Sequence, residues 1–128
     1  MVKRILHLED SPDWVGNVMG AIAGQPEMEL IYASNKHEFY MGPYNTADLY
    51  LLDRHFPNKV GEFPEDNWEN VVSFLEKDSP KIPVIILSSE PPSRNECSRY
   101  KNIREVLDKR TFSDKEFLAK IKFQLGMQ

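Results

Sequence analysis

Hydrophobic residues of this chain are concentrated in five short runs, at residues 4–8, 29–33, 48–52, 84–87 and 104–108. Within the third run, residues 49–52 are all apolar. A run this short and this apolar is typical of a strand that is buried on both faces of a parallel sheet. The stretches between the runs carry apolar residues at helical spacing. The pattern therefore predicts five strands that alternate with helices.

The predicted helices have recognisable beginnings. Ser11 is expected to cap the first helix, Asp66 the third and Ser113 the last, because each precedes an amphipathic stretch. A short second helix is predicted over residues 35–41, and residues 58–65 are predicted to form a loop. Pro91 and Pro92 disfavour helix at the residue before each, so the segment up to residue 102 is expected to start irregularly.

Strands that alternate with helices predict an α/β fold, with a five-stranded parallel sheet and helices on both faces. The reason is that each parallel crossover is right-handed and needs a helix of its own. A chain of 128 residues is long enough to bury one sizeable core. We therefore predict a single domain that spans residues 1–128.

Polar residues stand where four of the predicted strands end. Glu9 and Asp10 follow the first strand, Asp53 the third, Ser88 the fourth and Lys109 the fifth. Taken alone, the acidic pair could be a solvated turn, Ser88 a loop hydroxyl and Lys109 a surface lysine. Because open α/β sheets bind ligands at the carboxyl ends of their strands, the whole set predicts a site at that edge.

This series of residues resembles that of the receiver domains of bacterial response regulators, over nearly the whole chain. In chain order, the matching positions are Glu9, Asp10, Asp53, Pro57, Gly61, Ser88 and Lys109. The resemblance implies the flavodoxin-like (βα)5 receiver fold with strand order 2-1-3-4-5. We expect a stand-alone receiver similar to the chemotaxis regulators, because the sequence ends with the last predicted helix.

The resemblance also implies a magnesium site built from the carboxylates. Three carboxylates in one pocket repel one another, and a divalent cation with oxygen ligands removes that conflict. By resemblance, Asp10 and Asp53 bind Mg²⁺ directly, Glu9 acts largely through water, and the backbone carbonyl of His55 is a further ligand. The predicted cofactor is therefore Mg²⁺.

Asp53 is implied to be the phosphoacceptor, since an aspartate can form an acyl phosphate. Lys109 would pair with one phosphoryl oxygen, and the hydroxyl of Ser88 would donate to another. The implied partners are a histidine kinase or a histidine phosphotransfer protein as donor, and a downstream protein target. We expect no enzyme activity on other substrates, although the chain would catalyse its own phosphoryl transfer and dephosphorylation.

The sequence departs from the family pattern on the side that transmits the signal. Val106 replaces the usual aromatic switch residue, Arg110 replaces the usual proline after the lysine, and Pro91-Pro92 interrupts the start of the fourth helix. The alternative is therefore a constitutive interaction module, a pseudo-receiver whose switching is impaired. A metal-dependent phosphohydrolase is disfavoured, because no second aspartate closely follows Asp53.

Composition narrows the setting and the partners. The chain has 16 basic and 20 acidic residues, a net charge of −4, which argues against direct binding of nucleic acid. The single Cys97 fits a reducing compartment, and no run approaches the roughly 20 apolar residues of a membrane span. We predict a cytoplasmic protein without membrane contact. The three histidines, His7, His37 and His55, are expected to be structural or surface residues rather than a metal cluster.

Overall fold

A computed structural model of the chain describes residues 1–42 and 44–127. In this described part of the chain, seven strands and five α-helices follow one another in the order β1 Lys3–Leu8, α1 Pro12–Ile22, β2 Met28–Ala33, α2 Lys36–Met41, β3 Leu49–Leu52, β4 His55–Phe56, β5 Glu65–Asp66, α3 Trp68–Asp78, β6 Val84–Ser88, α4 Arg94–Cys97, β7 Ile103–Asp108 and α5 Asp114–Gln124. Short 3-10 turns cover Tyr44–Thr46 and Lys109–Thr111.

The main sheet has five parallel strands in the order β2-β1-β3-β6-β7. These are the five strands that the hydrophobic runs predict, and their order is the predicted 2-1-3-4-5. The predicted α/β fold and its strand order are therefore confirmed. All described residues of the five strands share one sheet. The assignment of residues 1–128 to a single domain stays a prediction.

Each face of the sheet is covered by a different set of helices. On one face, Leu6, Leu8 and Tyr50 pack with residues of α2, α3 and α4. On the other, Ile5 and Leu51 pack with residues of α1 and α5. Alternate residues of β1 and β3 thus point into different cores, as the pleat of a strand requires. The central strands are buried on both sides, and this explains their continuous apolar sequence.

The strand register aligns the carboxyl ends of the sheet. Leu8 of β1 pairs with Leu52 of β3, and Leu52 pairs with Ile86 of β6. At the end of the next pair, Ser88 of β6 lies opposite Asp108 of β7. The polar residues that follow these strands are therefore carried to one edge of the sheet, where the sequence predicts a site.

The predicted loop over residues 58–65 is wrong in part, because a small antiparallel ribbon encloses it. In this ribbon His55 pairs with Asp66 and Phe56 with Glu65. The side chain of Asn67 ties the ribbon together, donating to the carbonyl of Phe56 at 2.9 Å. Strands of two residues carry no alternating pattern, so hydrophobic periodicity cannot reveal them. We call the segment from His55 to Asp66 the β4–β5 ribbon.

Of two further predicted helix caps, Ser11 is right in position but makes no capping bond, and Asp66 is wrong. Ser11 occupies the N-cap position of α1 without a side-chain capping bond, and its backbone N–H donates to Oε2 of Glu9 at 3.2 Å. Asp66 belongs to β5 and pairs with Arg54, while Asn67 occupies the N-cap position of α3. Asp66 is drawn away from the helix by its ion pair with Arg54, a partner that local sequence does not reveal.

The remaining helix signals agree with the structure. Ser113 caps α5 by accepting a hydrogen bond from the backbone N–H of Glu116. The segment after Pro91-Pro92 begins irregularly, and α4 starts only at Arg94. Its N-terminus carries a complete capping box between Ser93 and Glu96, which the sequence analysis did not single out.

Candidate functional site

Three carboxylates meet at the carboxyl edge of the sheet. Glu9, Asp10 and Asp53 each offer an oxygen, and these oxygens lie within 4.8 Å of one another. Glu9 is 1% exposed and Asp53 is 8% exposed, whereas Asp10 is half-buried. The pairing of β1 with β3 creates the cluster, and the backbone N–H of Asp53 extends that pairing by donating to the carbonyl of Leu8 at 3.1 Å.

Lys109, the first residue of the 3-10 turn after β7, also lies in the cluster. Its Nζ atom lies 2.7 Å from Oε1 of Glu9 and 3.1 Å from Oδ2 of Asp53, and its side chain is 8% exposed. Nζ also lies 5.1 Å from the ring centroid of Trp14 in α1, within cation–π range. One cation thus faces two buried carboxylates and an aromatic ring. The structure brings Lys109 together with the acidic residues, as predicted.

Electrostatic conflict remains in the cluster despite Lys109. The pKa of Glu9 is raised to about 7, mainly by burial and secondarily by the charge of Asp53, while contact with Lys109 acts against both. Oε2 of Glu9 accepts a hydrogen bond from Ser11, which helps the ionised form. Burial and a neighbouring carboxylate therefore outweigh the one lysine in contact with Glu9.

His7 lies directly beside this conflict. Its ring is fully buried, and its Nε2 atom lies 3.9 Å from Oε1 of Glu9. Within the described residues, neither ring nitrogen has a hydrogen-bond partner. Burial, with the charge of Lys109 adding to it, lowers the pKa of His7 to about 3. The expectation of a structural histidine holds for its burial, but the alternation of β1 also directs His7 to the same face as Glu9.

Ser88 is buried at the end of β6, with 1% of its surface exposed. Its hydroxyl oxygen accepts a hydrogen bond from the backbone N–H of Glu90 at 3.1 Å. That bond uses the hydroxyl as an acceptor and leaves its role as a donor compatible with a further partner. The predicted contact of Ser88 with a phosphoryl oxygen stays a prediction.

Arg54 is a site residue that the sequence analysis missed. Its backbone N–H donates to Oδ1 of Asp53 at 2.6 Å. Its guanidinium binds Asp66 through two bonds of 3.0 and 3.1 Å, and it donates to the carbonyl of Glu90 at 3.2 Å. Contact with Arg54 lowers the pKa of Asp66. The only sequence signal for Arg54 is that it directly follows Asp53. The partners of its guanidinium lie in the ribbon, which was not predicted, and in the loop after β6.

His55 and Val106 occupy contrasting places. His55 begins the β4–β5 ribbon and is half-buried, two residues after Asp53. The role of its carbonyl as a metal ligand stays a prediction.

Val106, at the position of the family's aromatic residue, lies on β7 and is 37% exposed. After it, Arg110 is bound to Asp108 by side-chain contacts of 2.6 to 3.1 Å within the 3-10 turn. The cis bond usual in the family at this turn is not found in the described residues.

The donor set fits magnesium in its chemistry. Mg²⁺ prefers oxygen ligands and is usually held by one or two carboxylates while it keeps several waters. The cluster of Glu9, Asp10 and Asp53 offers carboxylate oxygens at close range and an excess of negative charge. These residues are therefore compatible with bound Mg²⁺.

No protein-family model and no curated protein match this chain. Solved structures do. The signal receiver domain of an HD domain-containing protein from Pseudomonas fluorescens Pf-5 superposes with a TM-score of 0.81 at 16% identity, over 98% of this chain and 96% of that one. A CheY-like response regulator receiver domain from Methanospirillum hungatei JF-1 gives 0.79 at 18% identity, over 98% and 95%.

A third similar structure is the response regulator TrrA from Thermotoga maritima, solved in complex with Mg²⁺ and beryllofluoride. It has a TM-score of 0.76 at 22% identity, over 96% of this chain and 99% of that one. At such identities the likeness concerns the fold, and it agrees with the strand order of this chain. This chain therefore has the fold of a response regulator receiver domain.

Proposed function

We propose that this chain is a phosphorylatable signalling receiver that accepts a phosphoryl group on Asp53 with the help of Mg²⁺. The observation that carries the proposal is the convergence of Glu9, Asp10, Asp53 and Lys109 at one edge of the sheet. Asp53 has access to solvent through its 8% exposed surface, and its neighbours supply the charges that phosphoryl transfer requires.

The metal would be held by Asp10, Asp53 and the backbone carbonyl of His55, with Glu9 acting largely through water. Bound there, Mg²⁺ neutralises the carboxylates and the charge that develops on the transferring phosphoryl group. The close approach of the three carboxylates supports this assignment, because their like charges repel unless a cation lies between them.

In the proposed reaction, a carboxylate oxygen of Asp53 forms a bond to phosphorus while the nitrogen–phosphorus bond of a phosphohistidine donor breaks. The electron pair of that bond stays on the donor imidazole. Lys109, which contacts Oδ2 of Asp53 at 3.1 Å, is placed to pair with a phosphoryl oxygen. Ser88 would donate its hydroxyl proton in a hydrogen bond to another. Hydrolysis of the acyl phosphate later restores Asp53.

The proposed partners are a histidine kinase or histidine phosphotransfer protein as donor and a protein target that binds the modified receiver. The proposed location is the cytoplasm, where such donors act, and the net charge of −4 supports partners other than nucleic acid. Among the described residues, every helix is too short or too polar to cross a membrane. We propose no enzyme activity beyond self-catalysed phosphoryl transfer and dephosphorylation.

Intact mass spectrometry after incubation with a small phosphodonor and Mg²⁺ tests this function. We expect one phosphoryl adduct on the wild-type chain and none on Asp53→Asn. Asp13→Asn is the matched control, since Asp13 is exposed in the first turn of α1 and lies outside the cluster. An adduct that persists in Asp53→Asn, or no adduct on the wild type, would refute the proposal.

Metal binding has a separate readout in the fluorescence of Trp14, whose ring lies beside Lys109. A Trp68→Phe background removes the second, fully buried indole. In that background we expect a saturable response to Mg²⁺ that Asp10→Asn weakens strongly. Absence of a saturable response at low ionic strength would count against the metal site.

A constitutive interaction module is the second candidate. The exposed Val106 favours it, because a valine on the surface of β7 cannot move inward as an aromatic ring does. The ion pair between Arg110 and Asp108 also fixes the turn after Lys109. This candidate gains if the adduct forms on Asp53 while amide exchange stays the same throughout the chain.

A further inference from the structure

Arg54 contacts three parts of the molecule: Asp53, the β4–β5 ribbon and the loop after β6. Through its backbone N–H it contacts Asp53, and through its guanidinium it contacts both Asp66 in the ribbon and Glu90 in the loop after β6. We propose that Arg54 is a positioning residue that couples the phosphorylation state of Asp53 to the β4–β5 ribbon. This inference rests on the proposed function.

The contacts form a series of hydrogen bonds that starts at the candidate phosphoacceptor and ends at Ser88. Asp53 accepts from the N–H of Arg54, whose guanidinium donates to the carbonyl of Glu90. The N–H of Glu90 in turn donates to the hydroxyl oxygen of Ser88. Both backbone groups of Glu90 are therefore engaged, one by the residue after Asp53 and one by the hydroxyl proposed to contact the phosphoryl group.

A phosphoryl group on Asp53 would disturb this series of hydrogen bonds at two points. It changes the carboxylate that accepts from Arg54, and it attracts the hydroxyl of Ser88 as a donor. Any reorientation of Ser88 acts on Glu90 through their shared bond of 3.1 Å. Since Glu90 also accepts from Arg54, the displacement reaches the guanidinium.

The guanidinium transmits the displacement because its planar fork fixes direction. It grips Asp66 through two parallel bonds, Nε to Oδ1 at 3.0 Å and Nη2 to Oδ2 at 3.1 Å. A bidentate arginine cannot turn toward a new partner without tilting or releasing the carboxylate it holds. Asp66 is the last residue of the ribbon, paired in the sheet with His55. A shift at Glu90 would therefore displace Asp66 and, through its pairing with His55, the ribbon.

The ribbon is built to respond as a surface element. Its two ends are held at the candidate site, while its turn projects Val60 and Phe63 into solvent with 77% and 88% of their surface exposed. Gly61, with φ of 84°, makes this turn in the left-handed region that favours glycine. The route through Arg54 also needs no aromatic residue on β7, so the exposed Val106 does not prevent it.

Amide hydrogen exchange with and without Mg²⁺ and beryllofluoride, a mimic of the phosphoryl group, tests the coupling. We expect the mimic to change exchange rates in the β4–β5 ribbon of the wild type by roughly twofold to thirtyfold, the range of ordinary coupling energies. In Arg54→Lys, which keeps the charge and loses the fork, this change should disappear. Asp66→Asn should reduce it as well, although it leaves Arg54 in place.

Arg4→Gln is the matched control for these variants. Arg4 also contacts a carboxylate through Nε, Glu29 at 3.3 Å, but it lies near the amino end of β1. We expect the ribbon response of this control to equal that of the wild type. A merely structural role for Arg54 would lower the stability of the chain and leave the mimic-induced change in the ribbon intact.

The two proposals fail in different ways. If the wild type forms no adduct and no bound beryllofluoride is detected by ¹⁹F NMR, the phosphoacceptor function fails, and the coupling fails with it. If the mimic binds and the adduct forms but ribbon exchange is unaltered, the coupling through Arg54 is wrong and the phosphoacceptor function stands. The coupling is likewise wrong if the ribbon response is undiminished in both Arg54→Lys and Asp66→Asn, each checked for folding by circular dichroism.

Discussion

The carboxyl edge of the sheet and the outer surface of β7 hold their charges in very different ways. At the edge, Lys109 and Glu9 meet at 2.7 Å with side chains that are 8% and 0% exposed. On the outer surface, Lys120 of α5 and Glu105 of β7 meet at 3.2 Å with side chains that are 41% and 30% exposed. The first pair lies in a protein interior, whereas water screens the second.

The apolar residues of the two regions differ in the same sense. β3 and β6, which end at the site, are fully buried, but Val106 of β7 is exposed beside an open groove of about 530 Å³ that residues of α4 and β7 line. The comparison teaches that this fold concentrates its buried charges and buried apolar side chains at the carboxyl edge of the sheet. The outer surface of β7 carries fewer of both.

The largest effect is expected for Lys109→Gln, which leaves buried carboxylates without their cation. We expect it to lower the free energy of unfolding by about 3 to 4 kcal/mol in urea denaturation above the Glu9 pKa of about 7. Lys120→Gln should cost less than about 1 kcal/mol, because its pair is solvent-exposed. Saturating Mg²⁺ should restore part of the loss in Lys109→Gln only. Equal losses in the two variants would break the comparison.

The next effect concerns pH and Glu9. Because the pKa of Glu9 is raised from 4.5 to about 7 in the folded state, folding favours the protonated carboxyl. Its contribution to stability is full below pH 4.5 and is lost as the pH rises through about 7, by about 3 kcal/mol in total. Denaturation curves in chelator should show this loss in the wild type. In Glu9→Gln the loss should be absent, and its persistence would assign the pH dependence to another group.

His7 should act in the opposite direction with pH. Its pKa is lowered from 6.5 to about 3 in the folded state, so the unfolded chain alone binds the proton between these values. The neutral ring thus costs stability as the pH falls below 6.5, about 2 kcal/mol at a pH of about 5. We expect His7→Val to remove that cost, whereas the same substitution of His37, exposed on α2, should not. Parallel pH profiles of His7→Val and the wild type would show that the histidine is not buried as described.

The smallest effect is expected on the outer surface. Val106→Thr keeps the β-branched shape on β7 and changes an exposed side chain, so the free energy of unfolding should shift by less than about 0.5 kcal/mol. Adduct formation on Asp53, followed by intact mass, should proceed at the wild-type rate. A loss of stability comparable to that of Lys109→Gln would mean that Val106 contributes to stability as much as the buried ion pair does. The contrast between the two regions would then be wrong.

The sequence by itself determined the sheet and the edge at which the site lies. Apolar runs such as residues 49–52 specify buried strands through short-range periodicity, and parallel strands separated by helices leave few topologies open. Once the strands are parallel, residues that follow them share one edge. Glu9, Asp53 and Lys109 were therefore predictable as neighbours, because the strands that precede them carry them there.

Only the tertiary structure decided how the polar groups are partnered. The ribbon depends on two-residue strands and on Asn67, and the bonds of Arg54 reach Asp66 and Glu90, 12 and 36 positions along the chain. The N–H of Ser11 turned to Glu9, and the ring of His7 was left beside an ion pair completed by Lys109. Local pattern fixes where a side chain points, but charge, burial and pKa depend on groups that arrive from distant elements.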